Sequence, residues 1–317
     1  MAGDSFTGRP RIFAVVVLYG QCPRDSTTVS TLAQALRANR SADCDVWIYD
    51  NSPAAGDSAE ALPEGFAYQR AAANQGLYGA YEAARLAAAA KGGEWLLTLD
   101  QDTVLPENFF AAIEPGLNAA AGDPRIAAIV PHLAEGERLL SPAYVTIGRP
   151  KPLPADFTGL PSREARAFNS AALLRVAALA AIGGFDPRFW LDHLDSWLHH
   201  QLFLHGWRMY VLPLRLEHHF SLLNYRERLS TERLRNFLAA ESAYVDLYGS
   251  RIAGMAYTAQ LAVRVLNQMR RGESREVRRA TLGAFTRRLG TTRRLRIAEW
   301  NSAMGGRPDL AASQVER

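Results

Sequence analysis

The sequence predicts an α/β protein, with a mostly parallel central sheet flanked by helices and then a C-terminal helical region. Three observations predict it. The runs Ile12–Tyr19 and Trp95–Leu99 are apolar with almost no alternation, the pattern of strands buried on both faces. Such runs alternate with stretches of helical spacing, the order of a parallel sheet with crossover helices. From Thr231 onward the apolar residues, among them Leu234, Phe237, Leu238, Tyr244, Leu247, Leu261 and Val265, fall at helical spacing.

The chain has 317 residues, enough to bury a sizeable core, and its 48% hydrophobic and 21% charged content is ordinary for a globular protein. The formal net charge is +4, carried almost wholly by arginine, since Lys91 and Lys151 are the only lysines. Between Arg251 and Arg296 stand twelve arginines against two acids, Glu273 and Glu276. Phosphates or an anionic membrane surface are the partners such a field expects; no nucleic-acid partner is expected. Cys22 and Cys44 lack metal-ligand spacing and read as reduced thiols. Residues 1–11 read as polar and not as a signal peptide, and no run reaches membrane-spanning length. A cytoplasmic protein, peripheral to the inner membrane at most, is the expectation.

In chain order, the first strand ends at Tyr19-Gly20, and Thr31–Arg40 follows as a helix. The second strand, Asp45–Tyr49, runs into Asp50-Asn51-Ser52-Pro53, where Asp50 either accepts from a base or ribose hydroxyl or closes an Asx turn. A short third strand, Phe66–Gln69, ends at Arg70, a candidate phosphate or base contact. Asn74-Gln75-Gly76-Leu77-Tyr78-Gly79 leads into an alanine-rich helix, and glycines at a helix entrance let a ligand approach the unpaired N–H groups. The run Trp95–Leu99 then ends in Asp100-Gln101-Asp102-Thr103. Ligands of parallel sheets sit beyond the carboxyl ends of the strands, and two carboxylates in a tight turn there can hold a hard divalent cation on a diphosphate.

Pro106–Ala120 reads as a helix bent or broken at Pro115, Ile126–Pro131 as a strand, and residues 133–165 as a flexible excursion with Tyr144–Ile147 as an edge strand. After Gly183-Gly184-Phe185-Asp186, a helix starts within Phe189–Leu198, with Asp192 and Asp195 three residues apart on one face beside Trp190 and Trp197. An aromatic platform can hold a sugar ring while a carboxylate takes a hydroxyl proton. Trp207–Leu212 is the last strand, followed by His218 and His219, either of which could ligate the metal or meet a phosphate. The arginines at 270, 271, 278, 279, 287, 288, 293 and 294 interleave with apolar residues as on a basic amphipathic surface. The tail beyond Ala303 reads as disordered.

Taken in order, Val15–Tyr19, Asp50-Asn51-Ser52, Arg70, Asn74-Gln75-Gly76, Leu99-Asp100-Gln101-Asp102, Gly183-Gly184-Phe185-Asp186 and Asp192…Asp195 resemble the motifs of family 2 glycosyltransferases of the GT-A fold. Asp-Gln-Asp-Thr, with Phe-x-x-Asp-x-x-Asp later, looks most like the bacterial rhamnosyltransferase branch. The resemblance covers residues 11–225 as a GT-A domain and leaves 226–303 as a helical basic region and 304–317 as tail. It implies that Tyr19, Asp50, Arg70, Asn74, Gly76, Asp100 and Gln101 line the donor pocket. Asp102, helped by Asp100, would bind Mg²⁺ or Mn²⁺, and a late histidine, His218 or His219, would join it. Asp195 would be the catalytic base, with Trp190, Asp192 and Trp197 toward the acceptor. The implied reaction is inverting transfer of L-rhamnose from dTDP-L-rhamnose to a glycan or lipid-linked acceptor in cell-surface polysaccharide synthesis. Trp197 stands where many relatives have an acid, Gln201 where an arginine is common, and Phe168-Asn169-Ser170-Ala171 lacks the usual Ser-Gly. Another donor, such as UDP-galactofuranose or a UDP-hexose, and a non-catalytic glycan- or sugar-nucleotide-binding protein are the alternatives. A nucleotidyltransferase would want a glycine-rich basic loop that Gly20-Gln21-Cys22-Pro23 does not supply.

Overall fold

The computed structural model describes residues 10–39, 43–53, 62–147, 150–217 and 230–305. They fall into two compact units, one of residues within 10–144, 152–185 and 198–217, the other of residues within 145–151, 186–197 and 230–305. His218 and His219 lie outside the described residues.

The elements in chain order begin with β1 (Ile12–Leu18), α1 (Thr27–Ala38), β2 (Cys44–Asp50), β3 (Phe66–Arg70), α2 (Gly76–Ala90), β4 (Trp95–Asp100) and α3 (Phe109–Gly122). β5 (Ile126–Glu135), β6 (Arg138–Ser141), β7 (Ala143–Tyr144), β8 (Lys151–Pro152), β9 (Ala165–Arg166), β10 (Ala172–Arg175) and α4 (Val176–Ala181) follow. After them come α5 (Leu194–Leu204) and β11 (Arg208–Glu217), then the helices α6 (Thr231–Tyr248), α7 (Arg251–Arg270), α8 (Arg275–Gly290) and α9 (Arg293–Gly305).

The first unit is built on one sheet of order β11-β5-β10-β4-β1-β2-β3, with β6 beside β5. β1 pairs in parallel with β2 and β4, β2 with β3, and β5 with β11; only β10 and β6 run antiparallel. All seven residues of β1 are buried, as its unalternating sequence requires of a central strand. Burial pushes the Cys44 thiol up to about 12, and neither cysteine is in a disulfide. α3 continues through Pro115, and the missing Cβ of Gly116 lets the helix sit on Ile129 and Leu212, so packing against β5 and β11 holds what the proline alone would loosen. The edge strand expected at Tyr144–Ile147 reduces to β7, paired with β9 through Tyr144 and Ala165.

The Gly183-Gly184-Phe185 turn has a packing reason. Gly184 has φ +81, and a Cβ there would lie 2.6 Å from Oε2 of the buried Glu82. That carboxylate also accepts from the Phe185 N–H at 3.1 Å and holds Arg85 at 2.6 and 2.9 Å. Gly183 has φ +86 but open space around it.

In the second unit the helices α6, α7 and α8 each start at a serine, Ser230, Ser250 and Ser274, whose hydroxyl accepts from the N–H three residues on. Leu234, Leu238, Tyr257, Leu261 and Ala280 form their shared core. Beside it the buried Asp246 carboxylate accepts from Arg288 at 3.0 Å on each oxygen and from Arg296 at 2.7 and 3.0 Å, while its backbone carbonyl takes Arg293 at 2.6 Å. Three of the C-terminal arginines are therefore internal structural cations.

Gly184→Ala should cost at least about 2 kcal/mol more in denaturant unfolding than Gly183→Ala, because both add left-handed strain but only the first collides with a buried carboxylate. Equal losses would remove Glu82 as the cause. A second outcome concerns His199, buried in α5, whose pKa is pushed down to about 3 by burial and then by the Arg166 guanidinium. An unfolded histidine titrates near about 6.5, so the unfolded chain takes up this proton first as the pH falls. The contribution is complete above about pH 6.5 and is lost toward pH 3, at up to about 1.4 kcal/mol per pH unit. His199→Leu should flatten the stability profile over that window, and an unchanged slope would show that other groups set it.

Candidate active site

The register of the parallel strands fixes the first half of the site. Leu18 of β1 stands opposite Asp50 of β2, Asp50 stands opposite Arg70 of β3, and Val17 stands opposite Asp100 of β4. Asp50, Arg70, Asp100 and the residue after β1, Tyr19, are thereby brought to one edge of the sheet, at the carboxyl ends of four adjacent strands, where α/β proteins hold their ligands. These residues are far apart in sequence and meet only because the strands end level.

Each is held by its neighbours. Asp50 is buried; its Oδ1 accepts the Ser52 N–H at 2.8 Å and its Oδ2 the Tyr68 hydroxyl at 2.6 Å. The Asx-turn reading of Asp50 is the one seen here, with one acceptor position taken by the turn and a second by Tyr68 of about four that a carboxylate offers. Arg70 is half-buried and donates from Nη2 to the Ser52 carbonyl at 3.2 Å. Tyr19 is exposed, and its backbone N–H donates to Oε1 of Gln101 at 2.8 Å, so Gln101 ties the end of β1 to the end of β4. At the start of α2, exposed Asn74 accepts the Gly76 N–H at 2.9 Å, and Gly76 has φ +64, a conformation that favours glycine. The buried Asn51 joins β2 to this helix, donating to the Gly76 carbonyl at 2.9 Å and accepting the Gln75 N–H at 3.3 Å.

The Asp100–Thr103 turn is clamped from a distance by α1. Ser26 Oγ donates to the Gln101 carbonyl at 2.7 Å, and the Thr28 hydroxyl lies 2.5 Å from the Asp100 carbonyl and 2.9 Å from that of Thr103 while accepting the Thr103 N–H at 2.7 Å. Thr103 Oγ1 lies 2.6 Å from Ser170 Oγ, and Thr98 Oγ1 donates to the Asn169 carbonyl at 2.5 Å. In the loop that lacks a glycine, Ala171 has φ +55, so an alanine bears the left-handed conformation. The side-chain amide of the buried Asn169 has no hydrogen-bond partner among the described residues. None of Ser26, Thr28 or Thr98 stood out in the sequence; a polar residue inside an apolar strand, as Thr98 is, was the one available signal.

With the turn's backbone held this way, Asp100 is half-buried and Asp102 exposed. Among the described residues no three His, Cys, Asp or Glu side chains gather to hold a metal. Two carboxylates fit a cation that takes its remaining ligands from water and phosphate, the usual state of magnesium beside a diphosphate.

The second acidic cluster lies in the other unit. His193 takes φ +61, so α5 begins at Leu194 and Asp192 stands outside the helix instead of sharing a face with Asp195. Asp192 is buried and bound by both terminal nitrogens of Arg233, one at 2.7 Å. Asp195 is half-buried in the first turn of α5, with Oδ1 accepting the Ser196 N–H at 2.6 Å. Trp190 and Asp192 line a cavity of about 540 Å³ whose wall also includes Phe189, Arg235 and Trp300. Trp197 is buried and outside that lining.

The fold is GT-A. Among solved structures, GalNAc-T7 with UDP, GalNAc and Mn²⁺ superposes with a TM-score of 0.56 at 15% identity over 89% of this chain and 56% of that one. The chain thus spans little more than half the length of that protein. A mannosyltransferase of Pyrobaculum calidifontis in complex with GDP-Man and Mn²⁺ gives 0.51 at 15% identity, covering 89% of this chain and 88% of that one. TarS 1–349 of S. aureus in complex with UDP gives 0.51 at 15% identity over 88% and 81% of the two chains. No protein-family model matches the sequence, and no match was found among curated proteins.

Thr28→Val should lower unfolding stability by about 1–3 kcal/mol, because it leaves the buried Thr103 N–H without its acceptor. Thr28→Ser should recover most of that loss. Equal losses in both variants would show that the bond from the Thr103 N–H to this hydroxyl does not set the loss.

Proposed function

We propose that this protein is a metal-dependent inverting glycosyltransferase that moves L-rhamnose from dTDP-L-rhamnose to a hydroxyl of a glycan or lipid-linked acceptor in cell-surface polysaccharide synthesis. The observation that carries the class is the strand register that brings Asp50, Arg70 and Asp100 to the carboxyl edge of a GT-A sheet. The solved structures of this fold compared above bind UDP or GDP-Man, and two of them hold Mn²⁺. The sugar is argued from Asp100-Gln101-Asp102-Thr103 and from Phe189, Asp192 and Asp195 at their three-residue spacing.

In this reading Asp50 takes a donor N–H of the base with its spare acceptor positions, and Arg70, Asn74 and Gly76 line the nucleotide and sugar. Tyr19 and Gln101 close the same edge. Asp102 and Asp100 would hold Mg²⁺ or Mn²⁺, and when bound the cation neutralises charge on the leaving diphosphate. Asp195 accepts the proton of the acceptor hydroxyl as that oxygen bonds to the anomeric carbon. The bond from this carbon to the diphosphate oxygen breaks in the same step, and the nucleoside diphosphate leaves with the electron pair. Configuration inverts, and no covalent sugar–enzyme intermediate forms. Trp190 supplies an apolar face for the acceptor, while Asp192, committed to Arg233, positions it. A UDP-sugar donor is the second reading, favoured by the UDP in two of the compared structures.

Calorimetric titration with a panel of sugar nucleotides, with and without Mn²⁺ or Mg²⁺, tests the class and the donor together. Tightest metal-dependent binding of dTDP-rhamnose is expected, and a preference for a UDP-sugar would replace the donor. Asp102→Ala should remove the metal dependence. Asp195→Asn should lower transfer by at least about 100-fold with donor binding retained, the ordinary contribution of a general base. Normal turnover in that variant would end its role as base, and metal-dependent binding without turnover in the wild type would leave a sugar-nucleotide-binding protein.

A further inference from the structure

The helix α7 carries apolar residues on both faces, Tyr257 and Leu261 toward the core and a second set away from it. Its packed face carries polar groups that find partners within the unit: Tyr257 donates to Glu241 at 2.8 Å, Arg264 pairs with the same carboxylate at 2.9 and 3.1 Å, and Gln268 donates to Thr281 at 3.0 Å. Its opposite face carries Ile252, Met255, Val263, Leu266 and Met269, each between 52% and 66% exposed, with Ala259 between them. Those positions recur every three or four residues and form one stripe along a helix of 20 residues, about 30 Å long. An ordinary surface helix has one apolar stripe and turns it inward, so this second, outward stripe is surplus to packing.

Charge selects what covers this stripe. α7 contains no Asp or Glu, and exposed arginines, Arg251 and Arg270, stand at its two ends. On α8, exposed Leu282 and Leu289 are seven residues apart and share a face, and Arg275 and Arg279 are exposed beside a single exposed acid, Glu276. A second copy applying the same stripe would set arginines against arginines in either orientation, with no acid on the helix to answer them. Lipid headgroups of negative charge answer both features, taking the side chains of the stripe into the acyl boundary and the guanidinium groups at the phosphate level. No helix of the described residues is long and apolar enough to cross a membrane, so the stripe suits a surface-lying helix.

We propose that the exposed stripe of α7, bracketed by Arg251 and Arg270, docks this protein on an anionic lipid bilayer. The arginines that the sequence suggests for such a surface contribute less than their number, because Arg288, Arg293 and Arg296 are spent on Asp246 and its carbonyl. The surface depends instead on apolar side chains left exposed among the described residues.

Flotation of the full chain with phosphatidylcholine vesicles, with and without phosphatidylglycerol, tests this. Binding is expected with phosphatidylglycerol and should fall with salt. Met255→Glu combined with Leu266→Glu should cut it at least about tenfold, with circular dichroism unchanged, since both side chains are exposed. Arg251→Gln and Arg270→Gln should each reduce it about fivefold, which tests the same face without altering the stripe. A wild-type chain that ignores phosphatidylglycerol, or a double variant that floats as well as wild type, overturns the proposal. So does a wild-type dimer in sedimentation that the double variant splits without any vesicle binding, which would make the stripe an interface between copies.

Discussion

The site on the sheet edge depends on how one turn is held. Asp100-Gln101-Asp102-Thr103 leaves a central strand with two carboxylates in three residues, and its backbone groups leave the sheet ladder there. The start of α1 answers them, because the Ser26 and Thr28 hydroxyls take up the backbone carbonyls and the Thr103 N–H that a strand end leaves unpaired. The backbone of the turn is thereby held from behind by a helix start far away in sequence. The same logic extends along the edge, where the Gln101 side chain secures the backbone of Tyr19 and Ser52 secures Gly20 at 2.8 Å. Backbone contacts of this kind set the positions of the side chains along the edge.

Much of this was legible in the sequence, and the reason is local. Unalternating apolar runs at Ile12–Leu18 and Trp95–Leu99 can be buried only between two layers, so the central strands announce themselves. Their parallel order follows from the helices between them, which is why Asp50, Arg70 and Asp100 could be expected at one edge. The direction of β10 could not, since a four-residue strand carries no mark of which way its partners run. Nor could the clamp, because Thr28 and Thr103 are 75 residues apart and a threonine opening a helix looks like any other cap.

Two further differences share a cause. His193 breaks the helical register one residue before α5, and a positive φ at a histidine is invisible to periodicity, so Asp192 and Asp195 part company. In α7 the period was visible but the sense was not, because apolar residues occupy both faces and only the partners of Tyr257, Arg264 and Gln268 decide which is inside. Periodicity reports that a helix has sides. It does not report which side meets protein.

The Asp246 carboxylate has a consequence for how the second unit can be divided. It lies in α6, yet its charge is answered by Arg288 from α8 and Arg296 from α9, and its own carbonyl by Arg293. A fragment ending at Gly290 would keep a buried anion with half of its counter-charge gone, and one ending at Arg271 would keep it with none. The last helix is therefore no appendage to be trimmed for expression. The four helices make one cooperative block, and any recombinant boundary or domain graft has to carry α6 through α9 together.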